Sequence, residues 1–100
     1  MRAIHLVRLD KVRPAVLLTR EELLPHLNQV TVAPITSRVR GIRSELPLGR
    51  ANGLDHDSAV NCDGIATVER SALGPQIGWL LPSQERELHA AIVAAFALEA

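Results

Sequence analysis

Between Lys11 and Arg43 the chain reads KVRPAVLLTREELLPHLNQVTVAPITSRVRGIR, and no other stretch constrains the fold as much. It holds two short, apolar, strand-favouring runs, Ala15 to Leu18 and Val30 to Ile35. The first is entered through Arg13-Pro14. The second is left through Thr36-Ser37 and then Arg38, Arg40 and Arg43. Proline at a strand entrance costs no ladder bond when the missing donor faces outward. A cation at one strand mouth, with hydroxyls and further cations at the other, suits a phosphate-bearing ligand if the two mouths meet in space.

Short strands and turns continue on both sides of this stretch. Ala3 to Leu9 alternates as a strand, with Ile4, Leu6 and Arg8 on one face and His5, Val7 and Leu9 on the other. Asp10 to Val12 is a short connection, so a hairpin with the strand from Pro14 to Leu18 is the simplest pairing. Thr19 and Glu22 stand at capping-box spacing and predict one or two helical turns, limited by Pro25. Pro34 argues that the Val30–Ile35 strand lies at an edge or ends there. Glu45 to Leu48 reads as a fourth strand, and Ala51-Asn52-Gly53 as a turn. Ser58 to Cys62 and Ile65 to Glu69 read as strands flanking a hairpin-type Asp63-Gly64. Leu73-Gly74-Pro75 reads as a turn before a last strand, Ile77 to Leu81. From Ser83 the period changes. Leu88, Ile92, Ala95 and Phe96 recur at helical spacing, with Ser83 as N-cap and Glu85 in the first turn. These elements predict a mainly β fold, a small antiparallel barrel or curled sheet in one domain spanning residues 1–100, with the terminal helix packed on it.

Composition excludes several classes. At 47% hydrophobic and 22% charged residues, the chain is a globular protein rather than a disordered one. One cysteine, Cys62, excludes an internal disulfide and fits a reducing compartment. The N-terminus MRAIHLVRLD is charged at positions 2, 8 and 10, unlike a signal peptide, and no apolar run reaches the roughly 20 residues of a membrane span. A cytoplasmic location is the expectation. The net charge of zero is split: residues 1–50 hold nine Lys/Arg and four Asp/Glu, residues 51–100 two and seven. That asymmetry fits a basic face for a polyanion, and equally a mixed surface that folding interleaves.

The candidate site residues follow from this. Arg13 is placed to donate a planar fork of hydrogen bonds to a phosphate, although an extended arginine is also what any Arg-Pro step gives. Thr36 and Ser37 offer hydroxyls to non-bridging phosphate oxygens, and both are ordinary turn residues. Lys11, Arg38, Arg40 and Arg43 would add sequence-independent affinity for a nucleic-acid backbone. Asp63 is a candidate general base near a 2′-hydroxyl, or simply a turn residue, and Asn61 is expected to point the same way. Cys62 is expected to be buried. Asp55-His56-Asp57 is better read as a polar loop tip than as a metal site, and no other histidine pairs at ligand spacing. No metal and no cofactor is expected. Trp79 and Phe96 are too few for a stacking platform, so hydrogen bonds and arginine planes would have to carry recognition of RNA.

In order, IHLVRLD, RPAVLLT, VTVAPITS, SELPL, NGL, AVNCD and LGPQIG with the helix after it resemble the MazF/PemK family of bacterial toxin endoribonucleases over nearly the whole chain. The resemblance implies the barrel shared with the CcdB gyrase poison, usually a homodimer, and a partner antitoxin that lays an acidic segment over the basic groove. It implies metal-independent cleavage of single-stranded RNA by attack of the 2′-hydroxyl, leaving a 2′,3′-cyclic phosphate and a 5′-hydroxyl. It places catalytic roles on Arg13 and Thr36. The aspartate of the Arg-x-Asp triplet of PemK-like members falls on Asp63, while Asn61 stands where that arginine would be. The connection between the first two strands is shorter than usual, which opens the groove. His5 replaces a common strand aromatic and is expected to be structural. Two alternatives of other classes remain from sequence: a same-fold toxin that poisons a protein such as a topoisomerase, and an inactive barrel that only binds a partner.

Overall fold

The computed structural model describes residues 1–98. Within them lie seven strands: β1 Ala3–Arg8, β2 Val12–Leu17, β3 Gln29–Thr36, β4 Glu45–Leu48, β5 Ser58–Asn61, β6 Ala66–Glu69 and β7 Leu73–Trp79. One α-helix, α1, spans Gln84–Phe96. All pairings are antiparallel, in the order β4-β5-β3-β2-β1-β7, with β6 also on β3. The sheet curls without closing, so the expected barrel is an open one.

The long strand β3 organises the sheet. One edge pairs with β2. The other pairs with β6 over residues 29–32 and then with β5 over residues 35 and 36. Pro34 therefore marks no edge. It sits where pairing passes from β6 to β5, a gap in the ladder in which a missing donor is tolerated. Period-two alternation along β3 feeds two cores, one on each side of the sheet. Ala33 and Ile35 join Ile4, Val16, Leu46, Val60, Cys62 and the helix residues Leu88 and Ala91. Val30 and Val32 join Val7, Ala15 and Leu17 on the opposite side, where Leu24 helps cover them. Each fully buried Val, Leu or Ile among them contributes about 1.5–3 kcal/mol.

Several local expectations are corrected. Asp63-Gly64 does not turn a hairpin: Cys62–Gly64 is a single 3-10 turn, and β5 and β6 each pair with β3 instead of with each other. Leu73-Gly74-Pro75 is strand, not turn, because β7 runs antiparallel to β1 from Leu73 onward. The segment after β2 is a 3-10 helix, Glu21–His26, without a side-chain cap. Thr19 instead accepts a hydrogen bond from the Thr31 amide at 2.8 Å, tying β2's exit to β3. Ser83 makes no cap bond either. Gln84, the first helical residue, instead ties the helix start to the chain before it, its Oε1 accepting from the Leu81 amide and from Asn52 Nδ2. Phe96 is 55% exposed and leaves the helix's buried stripe to Leu88 and Ala91, with Ile92 and Ala95 partly covered. His5 is structural as expected, with Nδ1 2.8 Å from the Gly74 carbonyl oxygen.

The 50s turn is locked to the end of β7. Asn52 is buried, accepts from the Gly49 amide and donates to Trp79 O and Gln84 Oε1. Gly53 sits at φ +88°, and a Cβ on Gly78 would lie 1.8 Å from Asn52 O. Both glycines are required there, one by conformation and one by space. Gly78→Ala is expected to cost about 3 kcal/mol or more, since backbone must move, and urea denaturation measures it.

Arg2 ties the same N-terminal end of α1 to the sheet. It pairs with Glu85 through Nε and Nη2 and donates from Nη1 to the carbonyls of Leu17 and Leu18. The hydrogen bonds from Arg2 hold the Glu85 carboxyl below its ordinary range. A carboxylate depressed on folding stabilises above the unfolded-state pKa of about 4.3 and loses that contribution as pH falls. Glu85 is half exposed, so the contribution is at most about 1 kcal/mol after solvent screening. Glu85→Gln is expected to lower stability by up to about 1 kcal/mol at pH 7 and by less near pH 3, compared by urea midpoints at the two pH values.

Candidate active site

Register brings the two strand mouths together. Ala15 of β2 faces Pro34 of β3, and continuing that antiparallel count by two residues sets Arg13 opposite Thr36. The two line one cleft of about 360 Å³ with Leu9, Asp10, Pro34, Ile35, Asn61, Gly64 and Ala66. β1 and β2 supply Arg13 and Asp10 through a tight hairpin whose last paired residues are Arg8 and Val12. The end of β3 supplies Thr36, and the end of β5 supplies Asn61.

The hairpin's brevity sets the state of Arg13. Its Nε and Nη2 each donate to an oxygen of Asp10 at 2.9 Å, a side-on bidentate pair. The hydrogen bond from Arg13, with help from the Lys11 backbone, holds the Asp10 carboxyl far below the ordinary carboxylate range. The same bond raises the already high pKa of Arg13. This clamp leaves the second terminal nitrogen, Nη1, uncommitted to Asp10. From sequence Asp10 reads as connection alone. An acid at the tip of so short a hairpin, three residues before a cation, is the signal that points to it.

Thr36 is half-buried, and its Oγ1 accepts from the Arg38 amide at 3.0 Å, which starts the basic loop. The loop is then held from inside. The Glu45 side chain is buried, and its Oε1 accepts from the amides of Arg40 (3.0 Å) and Gly41 (2.9 Å). Its Oε2 is buried with no hydrogen-bond partner and lies 3.6 Å from Arg40 Nε. Ser44 closes the loop by donating from Oγ to Asp63 Oδ2 at 2.6 Å. Asp63 thus anchors the loop's end, accepts Ser44's hydroxyl, and does not line the Arg13–Thr36 cleft. Its own amide donates to Asn61 Oδ1 at 3.1 Å. Arg38 and Arg40 are exposed on the loop, while Arg43 lines a separate groove against α1 with Leu46, Ala90 and Leu98. Cys62 is buried as expected, and burial, with the nearby Asp63 charge, pushes its thiol up to about 11.

A second hollow, of about 210 Å³, adjoins the first along Arg13 and Ile35. Lys11 and Ser37 line it, together with Asp55, His56 and Ser58. His56 Nδ1 lies 2.5 Å from Asp55 Oδ1. Asp55 and His56 of that loop tip therefore border the hollow beside the cleft, which local sequence could not disclose. Among the described residues no cluster of three His, Cys, Asp or Glu side chains is arranged to hold a metal, and no helix is long and apolar enough to cross a membrane.

Comparison with known proteins is consistent from end to end. Residues 5–96 match the family of PemK-like, MazF-like toxins of type II toxin–antitoxin systems. The chain is 52% identical over 99 residues to the endoribonuclease MazF3 of Mycobacterium tuberculosis, covering 99% of this chain and 96% of that one. It superposes on the structure of the M. tuberculosis toxin MazF-mt6 with a TM-score of 0.96 at 52% identity, covering 99% and 100% of the two chains. A mycobacterial endoribonuclease solved with its cognate antitoxin shares the fold at TM-score 0.85 and 21% identity, over 98% and 94%. With its open sheet, its terminal helix and its ordered motifs all in register with these proteins, the chain belongs to the PemK-like, MazF-like toxin family of type II toxin–antitoxin systems.

Proposed function

We propose that this protein is a sequence-specific endoribonuclease toxin that cuts single-stranded RNA without a metal ion. The 2′-hydroxyl attacks the adjacent phosphorus and leaves a 2′,3′-cyclic phosphate and a 5′-hydroxyl. The observation that carries this reading is the shared cleft of Arg13 and Thr36. Arg13, through Nη1, stabilises the charge that builds on the phosphorane oxygens, and Thr36 orients the phosphate. Asn61, across the cleft, contacts the sugar or phosphate. Lys11 and Ser37 extend the backbone contact into the adjoining hollow, and Arg38, Arg40 and Arg43 add electrostatic affinity from the loop. Asp63, bonded to Ser44, contributes by holding that loop. The relative in complex with an antitoxin supports a cognate antitoxin as partner here, laid over the same basic surface. A cytoplasmic homodimer completes the proposal.

The test is cleavage of total RNA by purified protein in the presence of a chelator, with ends mapped. Arg13→Ala and Thr36→Ala are each expected to lower the rate by about 100-fold or more, without moving the thermal midpoint. Cleavage abolished by chelation, or unchanged in Arg13→Ala, overturns the reading. No cleavage with inhibition of a topoisomerase instead points to the protein-poisoning alternative.

The loop makes a separate prediction. Glu45→Ala removes the acceptor shared by the Arg40 and Gly41 amides and frees the loop from its anchor. It is expected to weaken RNA binding and to lower the slope of log affinity against log salt by about 1 for each phosphate the loop no longer reaches. Glu45→Gln keeps an oxygen acceptor and is expected to restore most of that slope, as read by fluorescence anisotropy across a salt series.

A further inference from the structure

Cleavage by 2′-hydroxyl attack takes one proton from the 2′-oxygen and delivers one to the departing 5′-oxygen. The Arg13–Thr36 cleft holds no side chain suited to the delivery. Arg13 is kept protonated by Asp10, and Asp10, held far below the carboxylate range, carries no proton to give. Asn61 does not ionise. Cys62 is buried with its thiol raised, and Asp63 is bonded to Ser44 outside the cleft.

The adjoining hollow supplies what the cleft lacks. His56 lines it, and Arg13 and Ile35 line both this hollow and the cleft. Asp55 Oδ1, 2.5 Å away, holds Nδ1 as a donor, which fixes the tautomer and leaves Nε2 unspent by that pair. Imidazole is the side chain whose charge changes near neutral pH, so it can give a proton in one step and regain it in the next. Lys11 and Arg13 of the β1–β2 hairpin line the same hollow, and Asp57 on the same loop is turned toward Gly49. Both members of the pair are largely exposed, which leaves Nε2 open to a bound strand.

We propose that His56 is the general acid of the reaction, positioned by Asp55. This rests on the ribonuclease reading above. As the bond from the 2′-oxygen to phosphorus forms and the bond from phosphorus to the 5′-oxygen breaks, the 2′-hydroxyl proton passes to solvent. The Nε2 proton of His56 goes to the 5′-oxygen. The products are the cyclic phosphate, the 5′-hydroxyl and a neutral imidazole that regains its proton from solvent. Lys11, Ser37 and Ser58 hold the nucleotide that follows the cut, which sets its 5′-oxygen beside the ring.

The experiment compares two RNA oligonucleotides spanning a cut mapped with the wild-type protein, one with the ordinary 5′-oxygen and one with a 5′-bridging sulfur at the scissile bond. A thiolate leaves without a proton, so the sulfur substrate does not need the acid. His56→Ala is expected to cut the ordinary substrate about 100-fold more slowly than wild type and the sulfur substrate at a rate within about twofold of it. Asp55→Asn is expected to show the same pattern with a smaller loss. Wild-type rates on the ordinary substrate for His56→Ala, or equal losses on both substrates, overturn the assignment of His56 and leave the ribonuclease reading standing. Arg13→Ala on the same two substrates is the control for that reading: it is expected to lose rate on both, and if it loses rate on neither, the ribonuclease reading fails instead.

Discussion

The register between β2 and β3 is the constraint on which the site depends. Ala15 opposite Pro34 leads by plain counting to Arg13 opposite Thr36. A slip of one residue would turn every side chain of β2 to the other face. It would also exchange Val16, which feeds one core, for Ala15 and Leu17, which feed the other. The two cores therefore hold the guanidinium and the hydroxyl in the same cleft. The apolar patterning that stabilises the sheet and the geometry that makes an anion site are the same property of the sequence.

That patterning explains what was legible and what was not. Strand content, the terminal helix and the buried cysteine follow from local periodicity; the meeting of Arg13 with Thr36 is only a condition in the sequence, and the β2–β3 register supplies it. The failures have one physical source, tertiary partners that override local preference. Asp63-Gly64 has the composition of a hairpin turn, yet β3 offers both flanking strands a better edge than either offers the other. Leu73 to Pro75 reads as a turn, yet β1 recruits it. Thr19 and Ser83 have the chemistry of helix caps, but Thr19 is taken by β3 and Ser83 makes no side-chain cap bond, the helix start being tied instead through Gln84 to Leu81 and Asn52. Phe96 keeps helical spacing but lies beyond the last turn that the sheet covers.

The site shows the same division. Arg13, Thr36 and Asn61 lie on strands, where position follows from alternation. Asp10, His56 and the Glu45 tether act through loops, whose paths sequence specifies poorly. Glu45 is the clearest case. It begins a strand and reads from sequence as nothing more, yet its carboxylate points inward to gather two amides of the basic loop. Removing that carboxylate from water has a cost that the two hydrogen bonds and the nearby Arg40 offset. Such a residue specifies a loop conformation more than it adds stability.

The Asp10–Arg13 pair carries this logic to the chemistry. A lone guanidinium on an exposed hairpin would sample many orientations, and a phosphate would have to order it on binding. Asp10 takes Nε and Nη2 and so fixes the plane of the fork in advance. The bond is made side-on, so the donors of Nη1 are unspent by Asp10. The carboxylate lowers the net positive charge felt by an approaching phosphate, and this weakens ground-state attraction. It does not weaken the directed hydrogen bonds that tighten as charge accumulates on phosphorus oxygens. On the proposed reading, an arginine oriented this way would bind the transition state better than the resting strand, the difference that accelerates a reaction instead of merely holding its substrate. On the same reading, the exposed arginines of the loop would supply the affinity that the neutralised pair gives up, at a distance from the bond that breaks.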